Sequence, residues 1–303
     1  MKLVIDTDPG VDDALAIALA VAHPGVDLVG LTTVFGNTFV GQSSRNARFL
    51  LDLFGHHCPV AEGAALPWGA TCYQPHPEVH GPEGLGARTV VPEVGKNADT
   101  DAADFLIHLT RDHPGEVTVC AIGPLTNIAD ALARDPGFAQ NLKQLVIMGG
   151  AYAHPGNISA HAEANIYHDP AAANAVFAAP FDMVMVGLDA TMQTLLTPTD
   201  LAEMAQRAPK VGGFLNEIHD YYLGFYRSVG VTTGCPMHDA TAVLASVAPE
   251  KFTLLQTGIR VVGEGDAIGQ TVTDPNRPAV NVAMGVDAAW AIEQAKALVA
   301  TLP

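Results

Sequence analysis

The sequence DTDPGVDDA, residues 6–14, places four aspartates where the first apolar run of the chain ends. The apolar run and the alanine- and leucine-rich segment after this motif predict a β-strand that leads into an α-helix. Acids in the first turn of a helix interact favourably with its free N–H groups, which accounts for Asp12 and Asp13. It does not account for Asp6 and Asp8. A bound divalent cation accounts for all four, because it turns repulsion between carboxylates into coordination.

The composition and net charge of the chain indicate which kinds of molecule it can bind. The chain has 303 residues, of which 49% are hydrophobic and 16% charged, and its net charge is −17. So much apolar sequence predicts a large buried core rather than disorder. The negative charge argues against nucleic acid and against anionic membranes as partners, and it favours a neutral polar small molecule.

The compartment follows from cysteine usage and from the amino-terminal run. Asp6 and Asp8 interrupt that run before the hydrophobic region of a signal peptide develops, and no other stretch is long enough to span a membrane. The four cysteines are scattered without a C-x-x-C pair, as expected of reduced thiols. We therefore expect a cytoplasmic protein that binds neither nucleic acid nor membrane.

Strands and helices alternate along the chain. Beyond the first strand and the helix at Asp12–His23, the pattern predicts strands at 26–34, 117–123, 143–150 and 181–189, helices at 41–54 and 286–302, and a hairpin within 258–284. This alternation is typical of right-handed β-α-β units. We predict a single α/β domain over residues 1–303, with a mostly parallel central sheet flanked by helices, a Rossmann-like open sheet.

Ligands of parallel sheets bind beyond the carboxyl ends of the strands. The groups predicted to converge there are Asp6, Asp8, Asn37, Ile122–Gly123 and Gly149–Gly150. A loop rich in proline, histidine and glycine, between Leu66 and Leu85, is long enough to act as a lid over the crevice and contains His80.

Three further segments carry candidate ligand-binding residues, each with a structural alternative. His238–Asp239 precedes an alanine-rich helix, so Asp239 is either a helix cap or a partner of the first acidic motif. The polar side chains of residues 156–170 suit either sugar hydroxyls or an ordinary polar loop; they are Asn157, Glu163 and Asn165. An aromatic set at helical spacing either covers a bound base or belongs to the core; it comprises Tyr222, Phe225 and Tyr226.

Together these segments resemble the inosine–uridine-preferring nucleoside hydrolase family. The resemblance rests on DTDPGVDDALA at 6–16, GPLTNIA at 123–129, MGG at 148–150, the spacing of the 157, 163 and 165 side chains, and HD at 238–239. These motifs occur in the order typical of the family, over most of the chain from Lys2 to beyond Val243. PMHDATA departs from the HDPC-like continuation of many members, which leaves the implied ligands unchanged.

The resemblance implies a Ca²⁺ cofactor, a ribonucleoside substrate and a homodimer or homotetramer. The implied metal ligands are Asp8, Asp13, Asp239 and the backbone carbonyl of Ile122. All are oxygens, as a hard cation requires. The residues implied to hold the ribose are Asp12 and Asn37 near the metal, and Asn157, Glu163 and Asn165 around the rest of the sugar.

The implied reaction is hydrolysis of the N-glycosidic bond by a single displacement. Asp8 would accept a proton from the attacking water. The departing base is a poor leaving group unless a group donates a proton or hydrogen bond to it. His238 is the first candidate donor, because Asp239 anchors it beside the metal, and His80 is the second. Tyr222 and Tyr226 are the candidates for contact with the base.

Two alternatives belong to other classes. In a haloacid-dehalogenase-like phosphatase Asp6 would be the nucleophile and Asp8 the acid, but such an enzyme needs a downstream lysine, and Lys143 is the sole candidate that begins a strand. A non-catalytic calcium- or sugar-binding protein is the other alternative. An EF-hand loop beginning at Asp6 fails, because Val11 stands where that loop needs glycine and Ile17 where it needs glutamate.

Overall fold

The computed structural model describes residues 1–303 and is built around a nine-stranded sheet. The strands are β1 (Lys2–Thr7), β2 (Asp27–Thr33), β3 (Val60–Glu62), β4 (Val117–Ala121), β5 (Gln144–Met148), β6 (Met183–Val186), β7 (Leu195–Leu196), β8 (Cys235–Pro236), β9 (Phe252–Val261), β10 (Thr271–Thr273) and β11 (Ala279–Val286). The order in the large sheet is β10-β9-β11-β6-β5-β4-β1-β2-β3, and β7 pairs with β8 alone. All pairs from β3 through to β11 are parallel, while β9 and β10 are antiparallel additions at one edge.

Helices lie on both faces of this sheet. They are α1 (Val11–Ala22), α2 (Val40–Phe54), α3 (Pro77–His80), α4 (Ala102–Asp112), α5 (Thr126–Arg134), α6 (Phe138–Asn141), α7 (Ala164–His168), α8 (Pro170–Phe177), α9 (Leu188–Thr191), α10 (Pro198–Arg207), α11 (Val211–Ser228), α12 (His238–Val247) and α13 (Ala288–Val299). None of them is long and apolar enough to cross a membrane.

The sheet separates two hydrophobic cores. Alternate side chains of β1 point into different cores. Leu3 and Ile5 belong to the larger core, which has 52 buried residues, and Val4 belongs to the smaller core, which has 29. The larger core includes α1, whose residues 11–20 are all buried. Its alanines allow close packing against α11, α12 and α13. The amino terminus of α1 is therefore held inside the protein rather than at its surface.

The fold class predicted from the sequence is confirmed, and most element bounds differ by only one or two residues. The hairpin prediction corresponds to the antiparallel pairing of β9 with β10. The strand predicted at 181–189 is too long, because β6 ends at Val186 and residues 188–191 form the short helix α9. The apolar character of this segment reflects burial, which does not distinguish a strand from a helical turn.

Candidate active site

A cavity of about 460 Å³ lies beyond the carboxyl ends of β1, β4 and β5. Its wall includes many of the residues predicted from the sequence: Asp12, Asn37, His80, Ile122, Asn157, Glu163, Asn165, Tyr222, Tyr226, His238 and Asp239. Asp8 and Asp13 are fully buried and lie behind this wall. Segments that are distant in the sequence therefore meet at the carboxyl edge of the sheet, as predicted.

The turn between β1 and α1 is ordered by Asp13. One carboxylate oxygen of Asp13 accepts a hydrogen bond from the Gly10 amide at 2.8 Å, as in a capping box, and the other accepts one from the Thr7 hydroxyl at 2.5 Å. The side-chain amide of Asn37 also donates to Asp13, over 3.0 Å. The capping alternative is thus correct for Asp13, and it does not exclude a second role for the same carboxylate.

Asp8 is fixed by a hydrogen bond from the loop that follows the neighbouring strand β2. Its Oδ2 accepts a hydrogen bond from the Asn37 backbone N–H at 2.6 Å, whereas its Oδ1 is buried and has no hydrogen-bond partner. A Cβ at Gly36 would overlap the Asp8 carboxylate, so glycine leaves the space that Asp8 fills. One oxygen of Asp8 therefore remains free for a cation or a proton.

Asp239 completes a compact acidic cluster. Carboxylate oxygens of Asp12, Asp13 and Asp239 lie within 4.8 Å of one another, and all three residues are buried. Burial and mutual repulsion raise the pKa of Asp12 to about 8 and the pKa of Asp8 and of Asp239 well above the usual range. Such crowding is unfavourable without a counter-charge, so the residues fit a hard divalent cation.

The cluster differs in one respect from the predicted ligand set. Asp12, predicted as a ribose contact, belongs to the compact group, and Asp8 does not, although Asp8 raises the pKa of Asp239 through their charges. Ile122 lines the cavity, and its carbonyl accepts a hydrogen bond from Asn165 Nδ2 at 2.9 Å, which leaves a second lone pair. The roles of all these groups as metal ligands stay predictions.

The predicted sugar-binding segment is anchored by its own backbone. Glu163 caps α7: its carboxylate accepts hydrogen bonds from the amides of Gly150, Asn165 and Ile166. Burial nevertheless raises the pKa of Glu163 to about 7. Asn157 Oδ1 accepts a hydrogen bond from the Ala164 amide, so its NH₂ group remains a free donor. Glu163 is thus both a cavity wall residue and a structural cap.

A chain of hydroxyl groups connects the acidic cluster to His238. The Tyr222 hydroxyl donates to Asp12 Oδ2 at 3.1 Å and lies 3.5 Å from the Tyr226 hydroxyl, which lies 2.7 Å from His238 Nε2. His238 Nδ1 is 2.7 Å from the Thr191 hydroxyl. Both tyrosines are core residues that also line the cavity, so the two alternatives for these aromatics are not exclusive. Burial lowers the pKa of His238 to about 3.

His80 occupies the carboxyl end of α3, inside the predicted lid. Its Nδ1 accepts a hydrogen bond from the Val11 amide at 3.2 Å, which assigns the ring proton to Nε2. His80 lines the cavity, and its Nε2 has no partner within the protein. Burial lowers the pKa of His80 to about 3, so the ring is a neutral donor at neutral pH.

A profile of the family described as inosine-uridine preferring nucleoside hydrolase matches residues 3–293. The chain belongs to this family. A nucleoside hydrolase of this type cleaves the N-glycosidic bond of ribonucleosides, so the sequence resemblance and the predicted class of reaction are confirmed.

Relatives of this nucleoside hydrolase come from plants and bacteria. The chain is 40% identical to a probable uridine nucleosidase 1 of Oryza sativa subsp. japonica, over 90% of this chain and 85% of that protein. It is 39% identical to uridine nucleosidase 1 of Arabidopsis thaliana, over 90% and 82% respectively. It is 38% identical to the non-specific ribonucleoside hydrolase RihC of Escherichia coli, over 95% and 94%.

Solved nucleoside hydrolases share the whole fold. The plant nucleoside hydrolase PpNRh1 superimposes with a TM-score of 0.95 at 35% identity, and the match covers 98% of both chains. A purine-preferring ribonucleoside hydrolase from Gardnerella vaginalis also gives 0.95, at 33% identity over 99% of this chain and 98% of that one.

The phosphatase alternative also conflicts with the positions of its residues. Asp6 lies within β1. Its Oδ1 accepts hydrogen bonds from the Thr32 hydroxyl at 2.5 Å and from Asn127 Nδ2 at 2.7 Å. Lys143 immediately precedes β5 and therefore lies at the amino end of that strand, opposite the cavity. In this nucleoside hydrolase Asp6 is a buried structural residue whose side chain joins β1 to Thr32 of β2 and to Asn127 of α5.

Sequence analysis missed two residues of α9 that organise the cavity. Thr191 contacts His238, as described above. Asp189 accepts hydrogen bonds from three consecutive backbone amides, those of residues 152–154, at 2.7 to 3.0 Å. Asp189 was predicted to end a strand, and a carboxylate at a strand end carries no signal of which loop it will bind.

Proposed function

We propose that this nucleoside hydrolase depends on calcium, and that residues 1–303 act as one catalytic domain. The observation that carries the calcium proposal is the set of unsatisfied carboxylate oxygens. Asp8 Oδ1 and Asp12 Oδ1 are buried without hydrogen-bond partners, beside the compact cluster with Asp13 and Asp239. Buried carboxylate oxygens without donors are unfavourable unless a proton or a cation binds them, and several carboxylates in one place favour a shared cation. The proposed ligands are Asp8, Asp13, Asp239 and the carbonyl of Ile122.

Calcium suits this donor set better than softer metals. The cluster offers carboxylate and carbonyl oxygens, without a cysteine or histidine among the proposed ligands, and Ca²⁺ prefers six to eight such oxygens. A calcium ion bound there supplies positive charge that makes a water molecule more acidic and orients it. Asp8 is the proposed proton acceptor for that water, because its buried Oδ1 lies beside the proposed metal site and accepts no hydrogen bond from the protein.

The proposed ribose contacts include complementary amides. Asn157 offers a free NH₂ donor, because its Oδ1 is bonded to the Ala164 amide. Asn165 offers a free Oδ1 acceptor, because its Nδ2 donates to the carbonyls of Ile122 and Met148. A hydroxyl group both donates and accepts, so this pair suits a sugar hydroxyl. A phosphate accepts only and would meet Asn165 Oδ1 and the acidic cluster, which favours nucleosides over nucleotides as substrates.

The remaining proposed ribose contacts lie near the metal site. They are Asp12, whose Oδ1 is free, and Asn37, whose backbone and side chain are fixed by Asp8 and Asp13. Glu163 is proposed to contact the sugar from its capping position. Carboxylates around the ribose stabilise the positive charge that develops on the sugar as the glycosidic bond breaks.

The proposed assistance to the leaving base comes from the two histidines. His238 acts through its hydrogen bond with Tyr226, because both of its ring nitrogens already have partners. His80 acts through Nε2–H, which is free. Tyr222 and Tyr226 are proposed as contacts of the base. We further propose a cytoplasmic homodimer or homotetramer that binds neither nucleic acid nor membranes.

The experiment that tests this function is a kcat/KM panel over inosine, adenosine, guanosine, uridine and cytidine, with calcium present. We expect free ribose and free base as products, and the panel assigns the base preference. Uridine 5′-monophosphate serves as the matched control and is expected to react far more slowly. Phosphate release from phosphoesters, or binding of nucleosides without turnover, would contradict the proposal.

A further inference from the structure

A buried side-chain amide joins the loop that carries His80 to the metal-site turn. Asn46 lies on α2, is fully buried, and lines no part of the cavity. Its Nδ2 donates to the carbonyl of Pro9 at 3.0 Å and to the carbonyl of Glu83 at 2.8 Å. Pro9 precedes α1 by two residues, and Glu83 follows His80 by three. Both protons of one NH₂ group are therefore used to join two segments of the active site.

The neighbouring contacts reinforce this attachment. Arg45 donates to Asn46 Oδ1 at 3.1 Å, which fixes the orientation of the amide, and to the Glu83 carboxylate at 2.7 Å. Gly84 has a φ of +80°, and a Cβ there would lie 2.9 Å from the Pro9 carbonyl oxygen. Glycine at position 84 thus permits the close approach that the Asn46 hydrogen bonds require.

The same turn also holds the His80 ring directly. Val11 is the first residue of α1, so its amide has no partner within the helix. His80 Nδ1 accepts that hydrogen bond. The ring position therefore depends on how closely the 80–86 loop approaches the Pro9–Val11 turn, and Asn46 sets that approach.

We propose that Asn46 is a positioning residue for His80. It touches neither substrate nor the proposed metal ligands, and it acts by keeping His80 Nε2–H aimed into the cavity while Nδ1 stays bonded to Val11. This inference rests on the role proposed above for His80. Small displacements of a correctly oriented group cost about 100-fold in rate, and loss of an outer-shell partner costs about 10- to 100-fold.

A double-mutant cycle tests the proposal on the calcium-loaded enzyme. Wild type, Asn46→Ala, His80→Ala and the double variant are compared by kcat/KM for uridine and inosine. We expect Asn46→Ala to lose about 10- to 100-fold in the wild-type background and less than about 3-fold when His80 is already alanine. Equal losses in both backgrounds would overturn the inference. Full activity of His80→Ala would instead overturn the role proposed for His80 and the inference with it.

A second readout does not depend on turnover. Hydrogen exchange of the Val11 amide is expected to accelerate in both Asn46→Ala and His80→Ala, because both variants weaken the hydrogen bond to Nδ1. Unchanged protection of Val11 in Asn46→Ala would overturn the inference. Asn46→Ser retains one donor and provides a milder variant, with an expected intermediate loss, should the alanine variant not fold.

Asn174 provides the matched control. It is an asparagine outside the cavity wall that accepts a hydrogen bond from the Val261 amide at 3.2 Å and one from Arg277 at 3.1 Å. Asn174→Ala removes two side-chain hydrogen bonds at a half-buried position and is expected to change kcat/KM less than about 2-fold. A loss in Asn174→Ala as large as that in Asn46→Ala would mean that the effect reflects general destabilisation, which would overturn the inference.

Discussion

The hydroxyl of Tyr226 lies 2.7 Å from Nε2 of His238, and this contact determines how His238 can reach a leaving base. The other ring nitrogen is already bonded to Thr191. Burial lowers the pKa of His238 to about 3, so the ring is neutral at neutral pH. A proton that His238 helps to deliver therefore passes through the Tyr226 hydroxyl, or is donated after that contact is exchanged for the substrate.

Replacing His238 separates assistance to the leaving base from positioning. We expect His238→Ala to slow cleavage of inosine and uridine by about 10²- to 10⁴-fold, the usual range for lost general-acid assistance. A p-nitrophenyl riboside leaves as a stable phenolate, so its hydrolysis should be largely retained. Tyr226→Phe keeps the ring packing but removes the hydroxyl, and should reproduce the same selectivity. Equal losses on both substrates would assign His238 a positioning role and direct attention to His80 or solvent.

Removing the metal should abolish turnover. Chelator-treated enzyme is expected to lose activity and to regain it when Ca²⁺ is added, because the acidic cluster then lacks its counter-charge. Activity and metal content are measured on the same samples, the latter by elemental analysis. Full activity of a preparation shown to be free of metal would contradict the calcium proposal.

The metal-free protein should also become less stable as the pH rises. Burial raises the pKa of Asp6 to about 7 and the pKa of Asp12 to about 8, from an unfolded value of 3.8. Buried histidines such as His80 and His238 have the opposite effect below about pH 6.5, their unfolded pKa, because they are protonated only in the unfolded state there. Above about pH 6.5 these rings are neutral in both states, so the folded state holds more protons than the unfolded state up to about pH 8, and the free energy of unfolding falls across that window. Thermal unfolding should give a lower Tm at pH 8 than at about pH 6.5, and added Ca²⁺ should restore it most at pH 8. A metal-free Tm that rises over this interval would contradict the prediction.

Asp8 and Asp12 should fail in different ways. Asp8→Asn is expected to lower kcat strongly, because it removes the proposed proton acceptor. Asp12→Asn should retain the metal and mainly raise KM, because it weakens a ribose contact. Calorimetric calcium binding and steady-state kinetics on the same proteins distinguish the two. Loss of calcium binding in Asp12→Asn would instead make Asp12 a ligand, as its place in the compact cluster allows.

The sugar contacts can also be tested by changing the substrate, with nucleosides that lack a ribose hydroxyl. We expect 2′-deoxynucleosides to be poor substrates of the wild-type enzyme, because the groups proposed to bind the missing hydroxyl would be left unpaired. The comparison is kcat/KM for uridine against 2′-deoxyuridine. Equal values would contradict the ribose contacts assigned to Asp12 and Asn37.

Asp189 should affect both stability and substrate affinity. Asp189→Ala leaves three backbone amides of residues 152–154 without their acceptor, and we expect it to lower the free energy of unfolding by about 1–3 kcal/mol. KM should rise, because this loop leads to Asn157. Asp182→Ala, at an exposed position, is the control and should change stability by less than about 0.5 kcal/mol. An unchanged KM in Asp189→Ala would mean that the loop is fixed by other contacts.

The sequence predicted the parts of the site whose chemistry is local. The acids of residues 6–13 follow a strand and begin a helix, so both their placement and their crowding could be inferred from spacing alone. The parallel topology then explains why Asn37 and Ile122 lie close to them, since both follow strands adjacent to β1. These predictions succeeded because parallel strands end at one edge.

Contacts made across the fold were not predictable in the same way. Asn46 is one polar residue within a helix, and Thr191 is one hydroxyl just beyond a predicted strand. Neither pattern indicates a partner, because their hydrogen bonds to Pro9, Glu83 and His238 depend on how distant segments pack. The role of Glu163 could not be decided from the sequence either, since a carboxylate before a short helix can cap that helix and face a ligand at the same time.

The acidic cluster also has a consequence for the order in which the chain can fold. Asp13 stands in the first turn of α1 and Asp239 in the first turn of α12, more than two hundred residues later. During synthesis from the amino terminus, α1 must wait for α12 before the larger core can close around it. A nascent chain that ends before residue 239 therefore has one half of the cluster and lacks the other. Calcium affinity acquired late in translation would report that α12 has packed against α1.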